Sequence, residues 1–435
     1  MFEKLVYFLK KNSDMFEIYS TKASILNIEV FNEKTDFISE SNSFGLGIRV
    51  YINEKLGFAS TSDQRKIMEC AKSAIKLAKV NKKDKDFVSF AKKEKCKNLV
   101  KINKNLLEYG PKEFLKFHRE FISYVKEVDK KIKISSSAYY KIEENVRVIN
   151  SEGVDLEETN LKNIFDSEAV LERNGRKEAL DVSKGELAPV NPKIGLDLGK
   201  RLINCFNKNP VVSGEMQLLL HPEAVANFFN ECFVFAINSE NVQHKKSVYF
   251  GKIDERICDK KFNIIDDGMT RGLFCTRSFD CEGIPSKKTL IVKNGVLKNF
   301  IYNTYTANKE GKESTSNAYR TVETLPIIDC NNFIIKPGKK RLLDEIDKGL
   351  YVRGLIGTHT INTATGDFSL GILEGYYVEK GEIKFPVKNV MIVGNFFDMI
   401  KDVELGKSVE HCFCGTGGFY VPELFVPRIK VVGKA

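Results

Sequence analysis

Long apolar runs are missing from this chain of 435 residues, and no stretch approaches the ~20 consecutive apolar residues that a membrane span needs. The opening residues Met1-Phe2-Glu3-Lys4-Leu5 break their apolar character with an acid and a lysine, a pattern that does not match a secretory signal. The expectation is a mature cytoplasmic protein with no membrane partner. None of the ten cysteines forms a C-x-x-C pair; the nearest two, Cys412 and Cys414, are separated by one residue. Without a secretory signal, that scatter argues against a disulfide framework and for reduced thiols acting as small buried hydrophobes. There is no G-x-x-x-x-G-K-[ST] loop to cradle a phosphate. No G-x-S-x-G elbow occurs either, and Ser369 in Gly366-Asp367-Phe368-Ser369-Leu370-Gly371 is out of register for one. Internal repeats and low-complexity segments are also missing.

The net charge of +10 raises the question of nucleic acid. Acids interrupt the basic runs, as in Lys82-Lys83-Asp84-Lys85-Asp86 and Lys92-Lys93-Glu94-Lys95, and there is no arginine-rich arm, recognition-helix signature or zinc-finger spacing. A solvated lysine-rich surface accounts for the charge. With 42% hydrophobic and 29% charged residues, the chain can build two or three ordinary cores.

The hydrophobic pattern predicts an α+β protein. Residues 2–11 fit a short amphipathic helix, strands follow from Met15 to Ser60, and Asp63 starts a helix carrying Ile67, Ala71, Ala74, Ile75 and Ala78. The lysine-rich stretch 82–101 reads as a mobile connection. Pro111 opens a second helix with Phe114, Leu115, His118, Phe121, Ile122 and Val125 on one face, and strands follow at 132–134, 146–149 and 154–173. The boundary falls near Asn209-Pro210. This gives an N-terminal α+β domain over 1–209, with subdomains at about 1–100 and 101–209, in which helices pack on antiparallel sheets. A β-rich, hairpin-dominated domain follows over 210–435. In that second part Pro222 opens an apolar helix running to about Ser239, with His221 at its cap. Lys293-Asn294-Gly295 turns a hairpin, Asn-Gly being the dipeptide that best tolerates its positive φ angles. Asp280 and Glu282 precede that hairpin and Arg320 follows it. Two carboxylates one residue apart on a strand would face the same way and raise one pKa, or else bind Arg320 or order a loop at a cleft or interface. Of the five histidines, His118 reads as a core or boundary residue, and His244, His359 and His411 fall in polar loop-like stretches.

Several ordered blocks then stand out: Gly45-Leu46-Gly47-Ile48-Arg49-Val50, Phe279-Asp280-Cys281-Glu282-Gly283, Asn294-Gly295-Val296-Leu297, Glu313-Ser314-Thr315-Ser316, Gly366-Asp367-Phe368-Ser369, Gly381-Glu382-Ile383 with Pro386-Val387, and Val393-Gly394-Asn395. Together they resemble the TldD/PmbA (TldD/TldE) metalloprotease family from about residue 15 to the end. The zinc-bearing branch of that family carries histidine-glutamate-x-x-x-histidine on a C-terminal helix, with a cysteine near the C-terminus as third ligand. The matching register here is Asn230-Glu231-Cys232-Phe233-Val234-Phe235, and the cysteine block is Cys414-Gly415-Thr416-Gly417-Gly418. Glu231 survives, but Asn230 and Phe235 stand where the imidazoles belong. Phenylalanine has no lone pair to give, and an amide oxygen is a poor zinc ligand beside a thiolate. A substitute site from His411, Cys412 and Cys414, with His221 folded close, is cramped in sequence. The resemblance therefore implies a PmbA/TldE-like subunit with no cofactor of its own. It would pair with a zinc-bearing TldD-like paralogue, or with itself, in a cytoplasmic complex acting on unfolded or modified peptides. Alternatives are a homodimeric peptide- or protein-binding regulator and, less favoured, a DNA gyrase-associated modulator.

Overall fold

The computed structural model describes residues 2–415 and 417–433; the expectations that touch Met1 and Thr416 lie outside the described residues. The chain begins with a long-stranded antiparallel sheet of six strands, β1 (Met15–Phe31), β2 (Lys34–Ile52), β3 (Lys55–Thr61), β4 (Lys133–Asn150), β5 (Asp155–Arg173) and β6 (Arg176–Glu186), in the order β3-β2-β1-β4-β5-β6. Because side chains alternate along a strand, one face of this sheet collects apolar residues for two separate helical layers. At one end α1 (Phe2–Asn12) and α2 (Ile67–Val80) pack Leu5, Leu9, Ala71 and Ala74 onto Phe16, Ile18, Ile48 and Val50. At the other end the helices Pro111–Val128 and Ile194–Asn204 place Phe114, Phe117, Phe121 and Leu198 on Ile28, Tyr139 and Phe165.

The pairing of β1 with β4 carries one sheet across residue 100. The two expected subdomains are thus two helical layers on one continuous sheet. The stretch 82–101 has no regular secondary structure, yet it is tied down rather than loose. Phe87 and Phe90 are buried beside Tyr51, and the Leu99 amide donates to Ser278 Oγ at 2.9 Å.

The C-terminal part is built on an eleven-stranded sheet. Five of its strands close on themselves: Gly214–Leu220, Lys348–Ile356, Asp367–Glu379, Val390–Asn395 and Gly417–Gly433, the last pairing back onto the first. The helical run from Pro222 to Ile237 packs Val225, Phe228, Phe229 and Phe233 into the core that this ring and its neighbours share. The predicted hairpin is present between Lys288–Lys293 and Val296–Leu297, with Asn294 at φ 50° and Gly295 at φ 77° in its turn. No helix among the described residues is long and apolar enough to cross a membrane.

Candidate functional site

Glu17 on β1 lies directly opposite Arg49 on β2, on the sheet face turned away from the helices. Arg49 grips Glu17 with two parallel bonds, Nε to Oε1 at 2.9 Å and Nη2 to Oε2 at 2.7 Å. Arg49 Nη2 also reaches Glu282 Oε1 at 2.9 Å, and Arg320 Nη1 donates to Glu17 Oε1 at 2.9 Å. The other oxygen of Glu282 accepts the Thr304 amide at 2.7 Å. All four side chains are dry, with exposures of 0% for Glu17 and Arg320, 6% for Arg49 and 2% for Glu282. Two acids and two guanidiniums therefore balance in a buried seam between the N-terminal sheet and the C-terminal domain. Tyr19 and Val148 pack beside it on Phe279, Cys281 and Ala318.

This seam locates the residues singled out in the sequence, with one correction. Asp280 and Glu282 do not alternate on a strand; they sit in a tight turn where the Gly283 amide donates to the Asp280 carbonyl at 2.9 Å and Gly283 adopts φ 85°. The turn sends the two carboxylates to different partners. Asp280 Oδ1 accepts the amides of Glu282 and Ile284, and its Oδ2 accepts that of Ala318. Arg320 binds neither acid, because Glu17 takes its charge. Burial, and then the nearby Glu282 charge, push the Asp280 carboxyl up to about 7. Glu17 and Arg49 were missed as site residues. Glu17 looked like an ordinary polar position on a strand, and its role becomes visible only in the β1–β2 register.

The helix opposite Cys414 shows a second departure. Pro222–Phe228 is α-helical, with His221 Nδ1 accepting the Glu223 amide at 3.2 Å as its cap, but Phe229–Val234 winds as a π-turn before Phe235–Ile237 resumes. Asn238 is extended and caps Ser239–Gln243, so the expected single helix to Ser239 ends at Ile237. The half-buried residues Glu223, Asn227, Asn230, Glu231 and Phe235 interrupt an otherwise buried apolar helix. Cys414 Sγ donates to Asn227 Oδ1 at 3.3 Å, and the Asn230 amide sits against Gly415. Asn230 Nδ2 donates to its neighbour Glu231 Oε1 at 3.4 Å. Burial holds the Cys414 thiol protonated, pushed up to about 12. This donor set does not fit a tetrahedral zinc centre, which requires thiolate, imidazole or carboxylate groups converging on one point.

The substitute site fails on strand alternation. His411 and Phe413 point to one side of the strand Glu404–Cys414, against Phe274, while Cys412 faces the domain core. His411 is thus a strand residue stacked on Tyr420 at 4.7 Å, not a loop histidine, and burial lowers its pKa to about 4. His221 is engaged at its helix cap. Among the described residues no group of three or more His, Cys, Asp or Glu side chains could hold a metal ion. A groove of about 770 Å³ opens beside this region, bounded by the segments 99–105, 160–162, 186–188 and 271–274, with His411 and Tyr420 at its wall.

The PmbA/TldA metallopeptidase C-terminal domain matches residues 213–433, and domain 1 of the same family matches residues 16–78. The chain belongs to the PmbA/TldD family. It is 32% identical over 411 residues to the uncharacterized protein MJ0231 of Methanocaldococcus jannaschii, covering 92% of this chain and 93% of that one. It is 24% identical over 446 residues to the metalloprotease PmbA homolog of Haemophilus influenzae, covering 96% and 92%. Its fold is that of TldE from Thermococcus kodakarensis, with a TM-score of 0.93 at 24% identity over 99% of this chain and 100% of that one.

Replacing Arg49 with methionine strands Glu17 and Glu282 without their shared cation, and removing one member of a buried pair costs about 3–5 kcal/mol. Chemical denaturation of Arg49→Met will show that loss; a change within experimental error would contradict the dry seam. A second outcome concerns Asp280. The folded state keeps a proton there that the unfolded chain releases near pH 4, so this group's contribution to stability declines as pH rises from about 4 to about 7 and is constant above. Carbon-detected NMR titration will place the Asp280 midpoint above the ordinary carboxylate range, and Glu282→Gln will lower it. A midpoint at or below 4, or one indifferent to Glu282, would contradict the assignment.

Proposed function

We propose that this chain is the metal-lacking, TldE-like subunit of a cytoplasmic PmbA/TldD-type peptidase complex acting on unfolded or modified peptides. In this reading it supplies cleft walls and scaffold, while a zinc-bearing TldD-like paralogue supplies the ion. The observation that carries the reading is the helix opposite Cys414, which presents Asn230 and Phe235 where the resemblance places imidazoles. Zinc in such an enzyme polarises the scissile carbonyl and activates water, and the side chains on this helix can hold no ion to do either. Glu231, with no metal-bound water to deprotonate, remains as a structural remnant.

The groove supports the peptide part of the proposal. Extended peptides bind by adding to an exposed strand edge, where main-chain bonds give affinity with little sequence demand. The strand Glu404–Cys414 pairs with Gly417–Gly433 and meets Lys340 in one bridge at Gly406, and His411, toward its other end, lines the groove.

Incubated alone with casein, the purified chain will release no peptides, and adding a family member with an intact histidine-glutamate-x-x-x-histidine helix will produce cleavage. Glu231→Gln will leave the activity of that mixture within about twofold. Cleavage by the chain alone, or loss of activity in the variant with assembly intact, contradicts the proposal.

A further inference from the structure

A smaller chamber of about 130 Å³ adjoins the groove, and Asn160, Lys162 and Thr276 line both. Tyr19, Arg277 and Arg320 form part of its wall. Arg320 is fully buried, its Nη1 spent on Glu17 and its flat face lying 4.4 Å from the Tyr19 ring centre. Its Nε and Nη2 have no partner among the described residues, and neither does the buried Nε of Arg277. Elsewhere in this protein the same Nε–Nη2 edge always meets a carboxylate where it is ion-paired within the interior: Arg49 on Glu17, Arg201 on Glu374 and Arg353 on Glu223.

We propose that this chamber is a binding site for a carboxylate group, held side-on by the Nε–Nη2 edge of Arg320 with Arg277 beside it. A coplanar pair of N–H donors matches a planar two-oxygen acceptor, and a buried charged donor left without a partner is costly. Since a water takes ~30 Å³ of liquid, the chamber holds a carboxylate and a short stem. Among the described residues no acid nearby hydrogen-bonds Nε of Arg277 or the Nε–Nη2 edge of Arg320. Both oxygens of Glu158 accept the Ser278 amide, and Asp280 is spent on three amides. Glu144 also lines the chamber, and burial raises its pKa, which favours the form that can donate a proton to a bound oxygen. With Glu17 balancing the Arg320 charge, Arg277 and Lys162 are the cations left to meet an anion, a balance that suits a singly charged carboxylate better than a doubly charged phosphate.

The carboxylate has two possible sources, the C-terminus of a peptide reaching in from the groove or a small free acid. Only the first rests on the peptide reading proposed above. Calorimetric titration of the full chain with sodium propionate, hexa-alanine and hexa-alanine amide separates them. The expected result is binding of propionate and of the free-acid peptide, with the amide at least about tenfold weaker. Arg320→Lys keeps a cation for Glu17 but lacks the fork, and Arg277→Met leaves the Glu17 seam untouched. Each will weaken propionate about tenfold, with thermal melts confirming folded protein. Propionate binding without peptide binding keeps the carboxylate site and counts against the peptide reading alone. No binding by either acid, meaning a chamber filled by water only, or equal binding by the folded variants, overturns the proposal.

Discussion

The Glu17–Arg49 pair, extended by Glu282 on one side and Arg320 on the other, is the interaction on which the two halves of this protein depend. None of the four side chains has water to turn to, so each charge must find its partner within the seam. A buried ionic cluster contributes little to stability compared with a well-packed apolar one; what it supplies is register. Here the register is that of the long sheet against the C-terminal turn Asp280–Gly283, where Glu282 meets Arg49 across the seam and the Thr304 amide on its own side. A second largely buried ion pair also joins the halves, the Arg201 guanidinium on the helix Ile194–Asn204 gripping Glu374 in the C-terminal ring.

Around the helix facing Cys414 the family scaffold remains, including the cysteine and one glutamate. Where the resemblance implies imidazoles, this helix carries Asn230 and Phe235. The π-turn at Phe229–Val234 falls on this very stretch, and such turns recur where a helix must present side chains at an unusual angle. What remains is a half-buried stripe facing Cys414.

Much of this was legible in the residues. Asn294-Gly295 announced its hairpin because few other dipeptides accept two positive φ angles, and His221-Pro222 announced a helix start because proline suits the first turn. Alternation and helical period gave the α+β class, and the family blocks gave the C-terminal domain. Other features could not be read locally. Residues 34–45 of β2 carry no apolar alternation, since nearly all of them are exposed, so nothing in the period marks them as strand. The stretch 82–101 looked mobile because lysines dominate it, while Phe87 and Phe90 do the anchoring. Above all, the Glu17–Arg49 pairing spans 32 positions and the Arg320–Glu17 bond spans 303, distances that only a strand register and a domain docking can close.

We propose above that the helix facing Cys414 holds no ion in this chain. Diffraction data collected above and below the zinc absorption edge, on crystals of the chain in complex with a zinc-bearing family member and grown without added metal, test it most directly. The claim predicts a single anomalous peak per pair of chains, on the partner's helix. A peak of comparable height beside Cys414 and Glu231 would contradict it.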